Sequence, residues 1–566
     1  MNMSQQRNES GLNLGEETVS ATRILNVRKT NWSGSLRLAL ACAWLVALAA
    51  APLHAQYYQD LYDFDCTSGL GCEPYGTLTQ GTNGNLYGTQ GSGGSNNYGT
   101  IFMVSTAGAY TVLFNFDATT GGPSLGLTLA SYDLNFYGTT ANTLFRFNPS
   151  TLALTVVHTF GSTEGSPFGP PVQGTNKNYL YGLAALTDST GTAYQLTVST
   201  ETFELLPSKV PGLPSGPLFL ASDGYLYGTT ANGGPYKAGE VFRMTTAGAV
   251  KKLYSFTDGY DGGAPNAPLA EGKDGNLYGT AYNGGDYGYG TIFELSLPSY
   301  GVGSVYSFDG VDSAGGGPEA GLLAASDGNF YGSTYSGGLD GMGTLFEWQL
   351  GGTFIPLFDF SGNGGLVSGA RPNTALMEDT NGQFYGLTFA GGANGDGVFY
   401  TLTPPDPVSH IALCCTWWVI LDQPVPILGQ NLTGVINVYF GSVPAQFQPG
   451  SDTFLMADVP SAAIDGLVTV TLATGQQIES QQSVHILPKI TNLDPSSGPV
   501  GTQVGIVGGG FAGTTKVTFD GVAATKFTVV TPALIQATVP AGATTGKVGV
   551  LTPNGSAHSK ETFTVN

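Results

Sequence analysis

The chain has 566 residues, too many for one hydrophobic core, and only 10% of them are charged against about 25% in an ordinary globular protein. Its 85 glycines and 11% aromatics describe turn-rich β structure, not a set of exposed helices. The formal net charge is −21, and because residues 1–55 carry five Lys/Arg and three Asp/Glu (+2), the remainder carries −23, which excludes a partner built on phosphate backbones or an anionic membrane.

The first element is a targeting segment, residues 1–55. Arg23, Arg28, Lys29 and Arg37 precede an apolar run from Leu38 to Ala51, and Leu53-His54-Ala55 places a small residue before Gln56. This is the layout of a secretory signal peptide with a long polar leader, or of a signal anchor. The run of 14 residues is short of the roughly 20 that span a bilayer, so no further integral membrane domain is expected. Export permits disulfides, and Cys66 and Cys72 close a loop short enough to pair. Cys414 and Cys415 are adjacent, and neither pair has the spacing of a zinc site.

A repeat follows. Tyr-Gly recurs at Tyr87-Gly88, Tyr137-Gly138, Tyr181-Gly182, Tyr227-Gly228, Tyr278-Gly279, Tyr331-Gly332 and Tyr385-Gly386, at intervals of 44 to 54 residues. Such a period marks one supersecondary unit copied and stacked. In the fourth copy, Pro217–Ala221, Tyr225–Thr229, Glu240–Met244 and Lys252–Phe256 are four strand-length apolar runs, designated a to d. Asp223-Gly224 joins a to b, and Asp-Gly between two such runs is a hairpin signal because its turn needs positive φ. Each copy therefore predicts a four-stranded antiparallel meander. Strand d occurs once too early, at Leu61–Phe64, and is missing after the last copy, which ends at Leu402. A ring closed by residues 61–64 repairs both ends, and residues 57–403 read as a seven-bladed β-propeller. The short a–b and c–d turns then share one face. The longer b–c and d–a loops, with their Gly-Gly pairs and acids, share the other.

The phrases DGNLYGTAYNGG, YGTIFEL and VYSFDG resemble the GloVer-type tandem repeat of bacterial "choice-of-anchor" exported proteins. The resemblance covers about 340 residues; Asn142–Phe145 and Gly191–Leu196 keep strand c in two eroded copies without the Gly-Gly. It implies an exported, surface-associated protein and brings no catalytic residue with it.

Pro404-Pro405-Asp406-Pro407 marks a linker, residues 404–407. Residues 488–566 resemble the immunoglobulin-like IPT/TIG domain through the Pro-Gly opening, Gly510-Phe511, Val517–Gly521 and Val539-Pro540-Ala541-Gly542. Residues 408–487 are a degenerate copy: Ile411, Ile427 and Val438 stand 79 residues before Ile490, Ile506 and Val517. Trp417 and Trp418 depart from the pattern, and fit packing against a neighbouring domain before an exposed sugar platform. The fold class expected is all-β, a seven-bladed propeller followed by two immunoglobulin-like sandwiches.

Chemistry is sparse. After residue 55 the histidines are His158, His410, His485 and His558, and only His158 lies in the propeller, in a strand d where a packed position is the default. No nucleophile elbow, phosphate loop or HExxH helix stands out. Asp258 with Asp261, and Asp309 with Asp312, sit in d–a loops. Turn structure accounts for them first, and calcium ligation or paired-acid glycoside hydrolysis are the alternatives. No catalytic, cofactor or metal residue is assigned, and calcium is the only ion these loops would suit. The function expected is a non-enzymatic exported protein, extracellular, cell-surface or periplasmic. Its propeller binds a partner protein or glycan, and the IPT/TIG pair serves as spacer or docking units. A carbohydrate-active hydrolase or lyase using loop acids, and a structural envelope or matrix component, are the alternatives.

Overall fold

Glycine and tyrosine divide the labour within each repeat. In the computed structural model, which describes residues 57–311, 314–404, 407, 409–413 and 417–566, the Tyr of each Tyr-Gly unit is buried in strand b. In four copies its hydroxyl donates back to the acid of the a–b turn: Tyr137 to Asp133 at 3.0 Å, Tyr227 to Asp223 at 2.7 Å, Tyr278 to Asp274 at 2.8 Å and Tyr331 to Asp327 at 2.7 Å; in the first the Asn83 amide donates to Tyr87 at 3.0 Å. The glycine faces the ring of strand c. A Cβ there would stand 2.2 to 2.6 Å from Phe102, Phe145, Tyr194, Phe242, Phe293, Phe346 or Tyr400 in the seven copies, closer than any real contact. The dipeptide thus ties a turn to a strand and seats an aromatic ring between sheets.

These units build seven four-stranded meanders whose strands pair in chain order. The seventh is shared: Tyr57–Asp63 runs antiparallel to Val398–Thr403, with Tyr58 opposite Leu402 and Tyr62 opposite Phe399. The closing strand starts four residues before the expected Leu61, because pairing continues along the whole partner strand. Tyr58 also stacks on Tyr400 at 5.2 Å and donates to the Ser368 carbonyl at 2.7 Å. The propeller is therefore sewn shut by the start of its own chain.

Neighbouring sheets are also stapled by the Thr that follows Tyr-Gly. Thr139 donates to the Gly169 carbonyl, Thr229 to Ala267 and Thr280 to Ala320, each at 2.9 Å; Gly169 lies in strand a of the next sheet, and Ala267 and Ala320 lie three residues before it. Strand a itself is short. It pairs over two residues in five sheets, and in the first and third its register breaks between Tyr75 and Thr79 and between Phe168 and Val172. Proline and glycine within it explain this, since one lacks the donor and the other packs nothing.

Two sandwiches follow. In the second, strands 489–494, 503–509, 534–538 and 527–531 form one sheet, and the other is built around 516–519, 546–552 and 555–565. In the first, 412–413, 424–428, 454–458 and 447–451 repeat the first pairing order, and 435–440 with 468–472 repeats the core of the second. The degenerate copy keeps the topology while losing the sequence.

The first sandwich lies on the short-turn face of the ring. Thr453 Oγ1 donates to the Thr82 carbonyl at 3.0 Å, Lys177 Nζ to Pro424 at 3.1 Å, and Gln430 Nε2 to Thr380 Oγ1 at 3.0 Å. Leu428 joins the apolar cluster of Leu129 and Phe136. Trp418 is buried against the a–b turn of the fourth sheet, 3.2 Å from where a Cβ on Gly224 would sit. These contacts reach five sheets, the first to fourth and the seventh. The first and fourth stand on opposite sides of the ring, so the sandwich crosses its axis at this end.

Candidate functional site

Each copy carries a proline on its innermost segment, within strand a in the first and third sheets and ahead of its paired residues in the other five, and the residue after that proline lines the centre of the ring. The seven are Tyr75, Ser124, Phe168, Ser215, Asn266, Glu319 and Asn373, and all line a central cavity of about 820 Å³. The inner strand is a sheet edge, so a proline there costs no ladder bond and leaves the following side chain free to vary. These positions differ from copy to copy, unlike the Tyr, Gly and Asp that hold the sheets.

A second ring of positions follows strand b. Gly91 and Ala231 line the cavity there. The fifth, sixth and seventh copies carry Tyr282, Tyr335 and Phe389 at this place. Tyr75, 40% exposed, meets Phe389 edge-on at 6.3 Å. The mouth on the long-loop face is thus aromatic on one side and small on the other.

Glu319 is the only ionisable acid among the described residues that line the cavity, and no Lys, Arg or His joins it. It is half-buried, and burial alone raises its carboxyl above the ordinary range. Among the described residues no hydrogen bond or ion pair reaches it. Burial raises the phenols of Tyr75 and Tyr282, with the Glu319 charge and Tyr335 adding to the shift. In the adjacent sheet, Asn373 Oδ1 is buried with no hydrogen-bond partner. Arg371, exposed at the same face, lies over the Tyr335 ring at 5.7 Å.

The loop acids named from the sequence lie elsewhere. Asp261 accepts from Thr257 N and from the Tyr254 hydroxyl, both at 2.9 Å, and from Thr257 Oγ1. Asp258 takes a left-handed turn conformation, φ 60°, and Asp309 accepts from Val311 N at 3.1 Å. Asp312 lies outside the described residues. Asp258, Asp261 and Asp309 do not line the cavity. His158 stacks on Phe203 of the next sheet at 3.6 Å and meets Glu164 at 3.0 Å, far from the inner strands in its outer strand d. His410 is buried beside Glu378 where the ring meets the sandwich, and His485 stacks on Trp418 at 4.6 Å. His558 lies in the last sandwich strand, opposite Gly549.

Cys66 and Cys72 form a disulfide. Cys414, Cys415 and the targeting segment lie outside the described residues. Among the described residues no three His, Cys, Asp or Glu are grouped to hold a metal, and no helix is long and apolar enough to cross a membrane. Tyr75, Tyr282, Tyr335, Glu319 and Asn373 were not singled out from the sequence. The signal was there: aligning the copies on the proline of strand a isolates the variable position directly.

Among curated proteins none matches the chain. Solved structures with a similar fold include an oligogalacturonate lyase from Vibrio parahaemolyticus, 13% identical over 62% of this chain and 97% of that one, TM-score 0.42. A fungal alcohol oxidase in complex with copper is 12% identical over 75% of this chain and 98% of its own, TM-score 0.42. The extracellular domain of a putative hybrid two-component system from B. thetaiotaomicron is 11% identical over 88% of this chain and 64% of its own, TM-score 0.43. The IPT/TIG domain model matches residues 488–565. The Gloeobacter/Verrucomicrobia repeat model matches residues 48–198 and 213–414, more than half of the sequence, and the chain belongs to that family.

Proposed function

We propose that this is an exported, non-enzymatic repeat protein that binds a glycan or a partner protein at the long-loop mouth of its central cavity. The two sandwiches serve as docking or spacer modules. One observation carries the reading: residues that differ between copies converge on one cavity, and they are aromatic, amide and hydroxyl groups with a single acid. Clefts of this volume lined by apolar surface and a few placed polar groups are the usual form of a binding site. Tyr98, Tyr236, Tyr260 and Tyr287 are exposed on long loops of the same face and extend the aromatic surface outward. The Cys66–Cys72 disulfide agrees with an oxidising compartment.

Glu319 also supports a second reading, a carbohydrate-active enzyme, because an unrepeated acid in a cavity is a catalytic candidate. Paired-carboxylate glycoside hydrolysis needs a second acid, and the described lining supplies one. The full chain is to be tested on a glycan array and on polysaccharides, with and without calcium. The expected outcome is retention on a subset of glycans without release of reducing ends. Asn266→Trp, which places a bulky ring in the cavity, should weaken it sharply while leaving the melting temperature unchanged. Binding that survives Asn266→Trp, or turnover of a polysaccharide, overturns the reading.

A further inference from the structure

The long-loop face is lopsided. Between the fourth and seventh sheets, on loops 231–239, 257–266, 282–290, 309–318, 335–343 and 361–373, it presents Tyr236, Tyr260, Tyr287, Leu339 and Leu366, the last two 81% and 96% exposed. No other large apolar side chain among the described residues is as exposed as these five, and none of the five lines the cavity. The shortened b–c loops of the second and third sheets, 140–142 and 186–190, carry none. The same six loops hold six aspartates against Lys237 and Arg371. Asp286 and Asp340, next to Tyr287 and Leu339, are exposed, and among the described residues no hydrogen bond or ion pair reaches either carboxylate. A crescent of exposed apolar surface rimmed by charge marks a docking site. A glycan is its poorer occupant, since leucine offers a sugar neither a flat ring nor a hydrogen bond.

The matching charge lies in the same chain. Residues 488–566 hold five Lys and three Asp/Glu, a net +2, whereas residues 56–487 carry −25. Lys516, Lys547 and Lys560 stand exposed on one sheet of this second sandwich. Lys516 is in register with the exposed Leu551, and Lys547 Nζ donates to the Lys560 carbonyl. Among the described residues the sandwich has one ion pair, Lys489 with Asp422 at 2.9 Å, so these three lysines have no acidic partner. The first sandwich covers the short-turn face, and the second is joined to it by that ion pair and by Asn554, which donates to Asp465 at 2.8 Å. The lysines are thus carried from the face opposite the loops.

We infer that the occupant of the crescent is a second copy of this chain, its C-terminal sandwich seated on the loops, and that copies associate head to tail. Two crescents do not meet face to face, because that sets aspartates on aspartates. Crescent on sandwich joins unlike surfaces of opposite charge, leaves one of each free, and so lets further copies add. The inference concerns the rim and goes beyond the reading of the cavity, which it leaves unaffected.

The test is sedimentation velocity on the full chain, from micromolar to hundred-micromolar concentration, at low and high salt. The mean mass should climb past that of a dimer as concentration rises, and association should weaken at least about tenfold between low and high salt. Two double variants remove one surface each: Leu339→Asp with Leu366→Asp, and Lys516→Glu with Lys547→Glu. All four side chains are exposed, so the melting temperature should not move. Each variant alone should be monomeric. An equal mixture should form a one-to-one dimer and nothing larger, because one brings an intact sandwich and the other an intact crescent; that dimer also shows both variants to be folded. A monomeric parent, an association that stops at a dimer, or a mixture that stays monomeric overturns the inference. So does a parent that stays monomeric and retains a polysaccharide that the Leu339→Asp, Leu366→Asp variant loses, which makes a glycan the occupant.

Discussion

Asp379 shows how one residue can depart from its repeat. Other copies place Ala221, Gly272 and Ala325 at the equivalent point of the a–b turn, where there is room only for something small and apolar. Here a carboxylate is fully buried: one oxygen accepts from Asn381 N at 2.6 Å and the other has no partner. Burial, with Glu378 beside it, pushes its pKa up to about 7. A carboxyl whose pKa is raised on folding binds more protons folded than unfolded, so it favours the fold at low pH. That contribution is lost as pH rises from near 4 to 7. At about 1.4 kcal/mol per pKa unit the effect is on the order of 1–4 kcal/mol. Asp379→Asn should flatten the decline of melting temperature between pH 4 and 7 and raise it at pH 7.5. An unchanged pH profile refutes this. The sequence displays such a position as one letter among gaps in a pattern. It becomes legible as a buried acid only once the turn is seen under the first sandwich.

At the scale of the element, the Thr after Tyr-Gly was visible as a repeated letter, but its partner was not. The acceptor lies 30 to 40 residues onward, on the innermost segment of the next copy. Leu183 and Leu387 replace it in the third and seventh copies, and Ser333 in the sixth has a buried hydroxyl without a partner. The staple is therefore not uniform around the ring. Thr229→Val keeps the shape and strips the Ala267 carbonyl of its donor, with an expected loss of about 1–3 kcal/mol in denaturant unfolding. Ser333→Ala, which removes a hydroxyl with no bond to lose, should be neutral or stabilising. The outer strands b, c and d were readable from alternating apolar runs and Asp-Gly turns. Strand a was harder to read for a physical reason. It pairs over two residues, is rich in proline and glycine, and resembles a loop. The cavity residues sit on that strand or just ahead of it, so the part of the sequence that looks least structured carries the candidate site.

At the scale of the molecule, closure depends on a strand from the opposite end of the repeat array. Deleting residues 57–63 would strip Val398–Thr403 of its outer partner and leave an open edge and a less covered Tyr400. A lower melting temperature, loss of a single cooperative transition and concentration-dependent aggregation by light scattering are expected. A deletion variant that melts like the parent would show that the ring holds without its shared sheet. The strand count foretold this sharing because a missing element at one end matched a surplus element at the other. What no count foretold is the sandwich laid across the turn face, gripping Thr82 on one side and Gly224 on the other. Tandem arrays ordinarily grow or shrink by duplicating or dropping a copy. Here an eighth copy would spread Thr82 and Gly224 apart, and a sixth-copy loss would crowd them, unseating the sandwich either way. In this chain the number of copies is thus matched from outside the array, by the span of one sandwich, as well as from within, by the shared seventh sheet.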